Sequence, residues 1–324
     1  MGKILVTGAG GFIGSHIVEK LIEQGAQVKA FVRYNSKNNW GWLEHSSIRN
    51  EIEVVTGDIR DYDSVLSAAK NCDEIYHLAA LIGIPYSYVS PLAYIKTNIE
   101  GTYNVLQAAK ENGCDNVIIT STSETYGTAQ YVPIDEKHPM VGQSPYSASK
   151  ISADQIAISY FRSFGLPVKI ARPFNTFGPR QSARAIIPTI ISQVLSGVRT
   201  IKLGNVHPTR DLTYVEDTAA GFIAIGKSKG LIGEITNIGM KEEHSVLQIV
   251  QYVSEMTGIE VSVDSDDLRI RPKESEVERL YCDNSKLRSS TDWLPQHSFK
   301  QGLQKTIDWM REHMHHFKPD IYNV

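Results

Sequence analysis

The 324-residue chain has little cysteine: Cys72, Cys114 and Cys282 are odd in number and lack paired spacing, which excludes a disulfide framework or a thiolate metal site. They are read as reduced thiols. No apolar run approaches a membrane span, no basic block is interleaved with aromatics, and neither internal repeats nor low-complexity tracts occur. Lys+Arg 33 against Asp+Glu 36 leaves a net charge of -3 at pH 7, so neither nucleic acid nor a membrane surface is expected as a partner. The first strand starts at Ile4 and leaves no room for a signal peptide, which makes the cytoplasm the expected location. His313, His315 and His316 have no second ligand cluster and read as a solvated helix end, so no metal is expected. What is left is an ordinary globular composition, 41% apolar and 21% charged, in a chain long enough for one large or two medium domains.

What is present begins at the N-terminus. Ile4-Leu5-Val6-Thr7 is a short apolar strand that runs into Gly8, Gly11 and Gly14 and then into a helix with Ile13, Ile17 and Leu21 on one stripe. This G-x-x-G-x-x-G turn predicts a dinucleotide site. Gly8 permits the tight turn, Gly11 lets the backbone approach a pyrophosphate, Gly14 allows close helix packing, and the anion sits on the helix N-terminus.

Short apolar runs alternate with helical patterns through the first half. Strands are predicted near Ile4–Thr7, Val28–Val32, Glu53–Val55, Glu74–His77, Asn116–Ser121 and Val168–Ala171, with Gly25, Gly113 and Gly165 ending helices. The pattern predicts an α/β fold with a parallel, doubly wound Rossmann sheet. Asp58, Ala79, Ala80, Thr122 and Asn175 all follow strands, where ligands of such sheets bind. The expected dinucleotide-binding domain is 1–178, with a strand near 234–238 returning to its sheet. A smaller substrate-binding lobe is expected over 179–324, which the resemblance described below makes a nucleotide-sugar-binding lobe.

Tyr146 and Lys150 are four apart, so on a helix they share a face. An ammonium beside a phenol favours phenolate, lowering an acidic pKa by roughly 1 to 3 units. Tyr146 is therefore expected as a general base for a hydroxyl proton, with Thr122 orienting the same oxygen. Plain alcohol oxidation does not need Glu124, and its presence implies a second proton transfer.

With the glycine turn, Gly57-Asp58-Ile59, His77-Leu78-Ala79-Ala80, Tyr146/Lys150 and Arg172-Pro173-Phe174-Asn175 in order, the whole chain resembles the extended short-chain dehydrogenases/reductases, and among them the nucleotide-sugar 4,6-dehydratases. Tyr34-Asn35-Ser36, Trp40-Gly41-Trp42-Leu43 and Ile84-Pro85-Tyr86-Ser87-Tyr88 resemble the dehydratases of legionaminic acid biosynthesis, which act on a nucleotide-linked N-acetylglucosamine.

The resemblance implies Thr122, Tyr146 and Lys150 as the oxidoreductase triad and Glu124 as the base at sugar C5. It implies a tightly bound, recycled NADP or NAD against Gly8, Gly11, Phe12, Ile13, Gly14, Arg33, Asp58, Ile59, Leu78, Ala79, Ala80, Tyr146, Lys150 and Pro173. Substrate would meet Tyr86, Thr122, Asn175, Arg184, Arg210 and Arg271, arginine suiting a diphosphate through its paired donors. The implied sequence is oxidation at C4, loss of water across C5 and C6, and hydride return to C6, giving a 4-keto-6-deoxy sugar. A homodimer through helices around 98–109 and 146–161 is also implied.

Two positions depart from the pattern. Where many dehydratases carry Asp, this chain has Ser123, too weak an acid to protonate the leaving C6 hydroxyl directly. Either Glu124 passes on its captured proton or Ser123 relays one through water. After the second strand, Val32-Arg33-Tyr34-Asn35-Ser36 lacks the acidic residue that holds NAD ribose, and Arg33 fits a 2′-phosphate, tilting the expectation to NADP; stacking of Arg33 on adenine is the alternative. UDP-glucuronate decarboxylases share Thr-Ser-Glu but carry arginine and cysteine where this chain has Gln143-Ser144-Pro145. A 5,6-ene-forming or -consuming enzyme would use the same base. A 4-epimerase needs no Glu124, and a non-catalytic cofactor-binding regulator would not keep Tyr146 and Lys150.

Overall fold

In the computed structural model, which describes residues 2–319 and 321, seven parallel strands form the central sheet. They are β1 (Lys3–Thr7), β2 (Gln27–Arg33), β3 (Glu53–Gly57), β4 (Glu74–His77), β5 (Asn116–Thr120), β6 (Val168–Pro173) and β7 (Ile235–Ile238), in the order β7-β6-β5-β4-β1-β2-β3. Their apolar runs are enclosed on both faces, as parallel strands require: Leu5, Val6, Val117, Ile119 and Ile170 are all inaccessible to solvent. The strand order reverses between β4 and β1. Ligands of such sheets bind at that reversal, beyond the carboxyl ends of the strands.

Helices Gly101–Glu111 and Pro145–Phe164 cover one face through Val105, Leu106, Ala157 and Tyr160. The other face carries Phe12–Glu23 and also Val215–Lys227, which packs Ala219, Phe222 and Ile223 against Val6, Ile118 and Ala171. The chain thus recrosses into the sheet layers after residue 178, first with that helix and then with β7, which pairs with β6 from Ile235↔Ile170 to Ile238↔Pro173. The second lobe has its own core around Ile190, Ile191, Leu203, Val253 and Leu303. Its small sheet is built on Thr209–Tyr214, flanked by Asn175–Phe177, Glu243–Ser245 and Arg279–Leu280.

Local sequence sets the start of helix Pro145–Phe164. Ser144 and Ser147 form a reciprocal capping box, Pro145 has no N–H to leave unpaired, and Gly165 closes the other end at φ +70°. Tyr146 therefore enters the first helical turn. The segment expected as a helix from residue 98 begins instead as a π-turn, Ile95–Glu100. Asn98 within it accepts from Leu81 N–H and donates to Leu81 O and Ser149 Oγ, pinning the segment after β4. The C-terminal histidines differ from a simply solvated helix end: His313 stacks on Trp309 at 4.3 Å, and His316 meets the edge of Trp42 at 5.2 Å. Cys72, Cys114 and Cys282 are free and buried. Among the described residues, no helix is long and apolar enough to cross a membrane.

Candidate active site

The glycine turn lies at the strand-order reversal. Gly8 adopts φ +69°, and a Cβ there would approach Ala79 N to 2.7 Å; one on Gly14 would approach Gly8 O to 2.2 Å. Strand end, helix and the Leu78-Ala79 segment are closed to side chains at these positions. Gly11 caps helix Phe12–Glu23, whose first turn, opening with Phe12 and Ile13, holds no acidic residue. Its free N–H groups and positive dipole end suit a pyrophosphate, so the donor set fits a dinucleotide. Thr7 Oγ1 ties β1 to β4, meeting His77 Nδ1 at 2.7 Å and accepting from Ala79 N–H at 3.3 Å. Pro173 ends β6 on the β7 side of the same rim.

Arg33 ends β2 exposed to solvent, and its charge acts on Asp58. Asp58 is already paired with Arg60, whose fork holds the carboxylate below its usual pKa. Ile59 follows, buried against helix Gly101–Glu111. The tryptophan motif closes over the turn: Trp42 N–H donates to Gly10 O at 2.9 Å, and a Cβ on Gly10 would meet Trp40 O at 2.2 Å.

Thr122, Glu124 and Tyr146 meet beyond β5. Thr122 caps the short helix Ser123–Tyr126 and accepts from Glu124 N–H. Its side chain also acts on the Tyr146 phenol, favouring the ionised form. Ser123 is buried beside them. The expected acidification of Tyr146 by Lys150 is not what the structure shows. Burial pushes the phenol well above its ordinary pKa, with Thr122 opposing and Glu124, Tyr94 and Asp154 adding to the rise. Lys150 Nζ turns instead to Thr120 O at 2.5 Å. The physical reason is enclosure: a buried ammonium takes the nearest carbonyl, and desolvation, which lowers the pKa of Lys150, outweighs the i,i+4 proximity.

Tyr86 is half-exposed and begins an aromatic chain that leads to the phenol of Tyr146, its ring 6.2 Å from Tyr94 and Tyr94 6.2 Å from Tyr146. Arg184 is exposed, and its charge is felt at Tyr94, whose phenol burial pushes up to about 12. Asn175 begins the strand beside Thr209–Tyr214, with its Oδ1 buried and without a hydrogen-bond partner. Arg210 and Arg271 approach one carboxylate, Glu276, at 3.6 and 3.7 Å. Arg271 Nη1 is buried without a hydrogen bond. Burial lowers the pKa of Arg210, and Glu124 and Glu276 both oppose that. Unpaired donors and an unpaired acceptor around a cationic pair can take up a diphosphate and its attached sugar.

The sequence reading missed Glu276, Tyr94 and Asp154. Asp154 had a signal, the same four-residue step that links Tyr146 to Lys150. Glu276 and Tyr94 had none, because Arg210 and Tyr146, which they face, are brought to them by tertiary folding.

A family model described as GDP-mannose 4,6 dehydratase matches residues 5–306. A dTDP-glucose 4,6-dehydratase from Streptomyces antibioticus is 30% identical over 321 residues, spanning 98% of this chain and 95% of its own. A UDP-N-acetyl-alpha-D-glucosaminuronate decarboxylase from Bacillus cytotoxicus is 31% identical, spanning 96% of this chain and 98% of its own. Among solved structures, the dTDP-glucose 4,6-dehydratase DesIV of Streptomyces venezuelae, determined with NAD bound, matches at a TM-score of 0.87 and 29% identity, over 98% of this chain and 99% of that one.

Proposed function

Since the chain belongs to the GDP-mannose 4,6-dehydratase family, nucleotide-sugar enzymes among the extended short-chain dehydrogenases/reductases, we propose that it is a 4,6-dehydratase acting on an N-acetylglucosamine linked to UDP or GDP. The observation that carries this is Glu124, held by Thr122 and felt electrostatically at both Tyr146 and Arg210. Oxidation at C4 needs no carboxylate there. Removal of a C5 proton does.

The bound dinucleotide, NAD as in the solved relative or NADP through Arg33, supplies reversible hydride acceptance between C4 and C6. Tyr146 takes the C4 hydroxyl proton as phenolate, a form that its burial disfavours and that the positive nicotinamide of a bound dinucleotide would favour, with Thr122 orienting that oxygen. The resulting ketone acidifies C5–H, and Glu124 removes that proton. The C6–O bond then breaks and water leaves, its proton delivered from Glu124 or through Ser123 and a water. Hydride return at C6 and a proton drawn from solvent through Glu124 at C5 complete the 4-keto-6-deoxy sugar, and Tyr146 releases the C4 hydroxyl proton to solvent. Arg210, Arg271 and Asn175 hold the diphosphate, while Tyr86 and Arg184 border the sugar.

Decarboxylation is the second reading, since one relative carries that name. Against it stands Gln143, whose amide is committed to Thr128 N–H and to the carbonyls of Glu274 and Glu276, so that no guanidinium faces a sugar carboxylate from that position. The legionaminic acid assignment rests on the motif resemblance alone. A homodimer is proposed through helices Gly101–Glu111 and Pro145–Phe164, which expose Tyr103 and Phe164 at 45% and 55%.

The test is to incubate purified protein with UDP- and GDP-N-acetylglucosamine, without added cofactor, and weigh the products. Loss of one water supports the proposal. An unchanged mass with an inverted C4 points to an epimerase, and turnover confined to a uronic acid substrate with loss of carbon dioxide points to a decarboxylase.

A further inference from the structure

The peptide joining Gly10 and Gly11 leads into helix Phe12–Glu23, and both of its ends are held. Gly11 N–H donates to Gly8 O at 3.0 Å, and Gly10 O accepts from Trp42 N–H at 2.9 Å. Trp42 belongs to the segment that follows β2, and the fit there is close: Gly41 adopts φ +67°, and a Cβ on it would approach Gly10 O to 2.2 Å. The indole of Trp42 meets the second lobe. Its ring stands edge-on to Trp309 at 5.4 Å and to His316 at 5.2 Å. Trp309, on helix Phe299–Glu312, is itself fixed by His313, stacked on it at 4.3 Å, and by Phe317, perpendicular to it at 6.4 Å and buried in the lobe's own core. One residue thus gives its backbone donor to the dinucleotide turn and its ring to the C-terminal lobe.

We propose that Trp42 is a positioning residue of the dinucleotide site and that Trp309 and His316 brace it: rings of the C-terminal lobe keep Trp42 in place, and Trp42 N–H keeps the Gly10–Gly11 peptide in the orientation that presents the N-terminus of helix Phe12–Glu23 to a pyrophosphate. This rests on the reading of the glycine turn as a dinucleotide site. Hydrogen bonds within the segment shape its backbone, Gly41 N–H donating to Asn39 Oδ1 and Trp40 N–H to Glu44 Oε2, and leave the indole to the aromatic contacts. The second lobe also grips the same helix further along, where the Arg180 fork donates to Glu19 at 2.8 and 2.9 Å. That ion pair holds the middle of the helix. The peptide ahead of its first turn is left to Trp42. A dinucleotide that is reduced and reoxidised within one turnover gains from a brace that slows its escape.

The test loads stripped full-length protein with NADH and, separately, with NADPH, and follows release by the loss of bound nicotinamide fluorescence when excess oxidised dinucleotide is added. Trp309→Ala should release the dinucleotide about 3- to 10-fold faster, the worth of one aromatic pair, while Trp309→Phe, which keeps a ring against Trp42, should stay within about twofold of the parent. His316 is exposed, so His316→Ala can be read even if Trp309→Ala fails to fold, and it should also speed release. Hydrogen-exchange mass spectrometry resolved to single residues should show the Trp42 amide exchanging faster in these alanine variants, with the amides of β4 and β5 as in the parent; a general loss of stability would move all of them. Release at the parent rate from the folded alanine variants overturns the proposal, and so does faster release with a Trp42 amide that exchanges as in the parent. A parent that takes up neither dinucleotide overturns the reading of the glycine turn and the proposal with it, whereas variants that match a parent able to bind overturn the proposal alone.

Discussion

Arg210 and Arg271 approach the same oxygen, Oε1 of Glu276, at 3.6 and 3.7 Å. Both distances exceed a hydrogen bond, and a diphosphate offers these arginines better-matched acceptors than the carboxylate does. Arg271→Met is therefore expected to raise KM for the nucleotide sugar about 10- to 100-fold, the loss of one charged hydrogen bond, with kcat moved much less. Steady-state kinetics decide it: an unchanged KM would place the diphosphate elsewhere.

Tyr146→Phe is expected to lower kcat by about 100- to 10,000-fold while the protein keeps its dinucleotide. The hydroxyl it removes is the group on which Thr122 acts and the one assigned to the C4 proton. Activity within a few-fold of the parent would sink that assignment.

Glu124→Gln preserves size and hydrogen bonding and loses the ability to take a proton. The parent, run in deuterated water, should place deuterium at C5 of its product. The variant should show neither that label nor appreciable water loss, with kcat down by roughly 100-fold or more. Near-parent dehydration by Glu124→Gln, read by mass spectrometry, would remove Glu124 from the mechanism.

Arg33→Ala separates the two dinucleotides. Arg33 stands exposed beside Asp58, whose carboxylate is occupied by Arg60. If Arg33 holds a 2′-phosphate, NADP affinity falls about tenfold or more while NAD affinity holds, as loss of one charge-assisted contact implies. Equal losses, measured by calorimetry on stripped protein, would mean stacking on adenine.

The fold should lose stability in mild acid through His77. Burial, aided by the charge of Lys150, lowers its pKa from 6.5 to about 3. The unfolded chain therefore binds a proton first as the pH drops. The contribution is complete above about 6.5 and declines toward 3, with a slope approaching 1.4 kcal/mol per pH unit. His77→Gln should flatten the fall of Tm between pH 6.5 and 4, a residual slope persisting from buried His16, whose pKa is lowered to about 4. An unaltered slope in calorimetric scans would refute this.

The strands and the glycine turn were legible because both are local: near-continuous apolar runs demand a sheet covered on two faces, and Gly8 and Gly14 stand where a Cβ would strike backbone. Thr122 and Tyr146 could be placed together because each sits at the boundary of a recognisable element. What sequence spacing does not encode is the competing partner. Four residues put Lys150 on the face of Tyr146, yet burial directs its ammonium to Thr120 O. Arg271 and Glu276 share one loop, but their meeting with Arg210 depends on how that loop is folded back, and the π-turn at Ile95–Glu100 depends on Asn98 satisfying Leu81, neither of which has a local pattern.

The return of Ile235–Ile238 onto β6 also governs how the molecule can be cut and recombined. A fragment ending at residue 178 would leave Ile170–Pro173 as a raw apolar edge and would strip away the cover provided by Ala219, Phe222 and Ile223. Such an edge templates strand pairing between molecules, so that fragment should accumulate in inclusion bodies. Chimeras that exchange substrate preference with a relative consequently need a donor lobe spliced in as two pieces, one on each side of residues 215–238, with that stretch kept from the recipient.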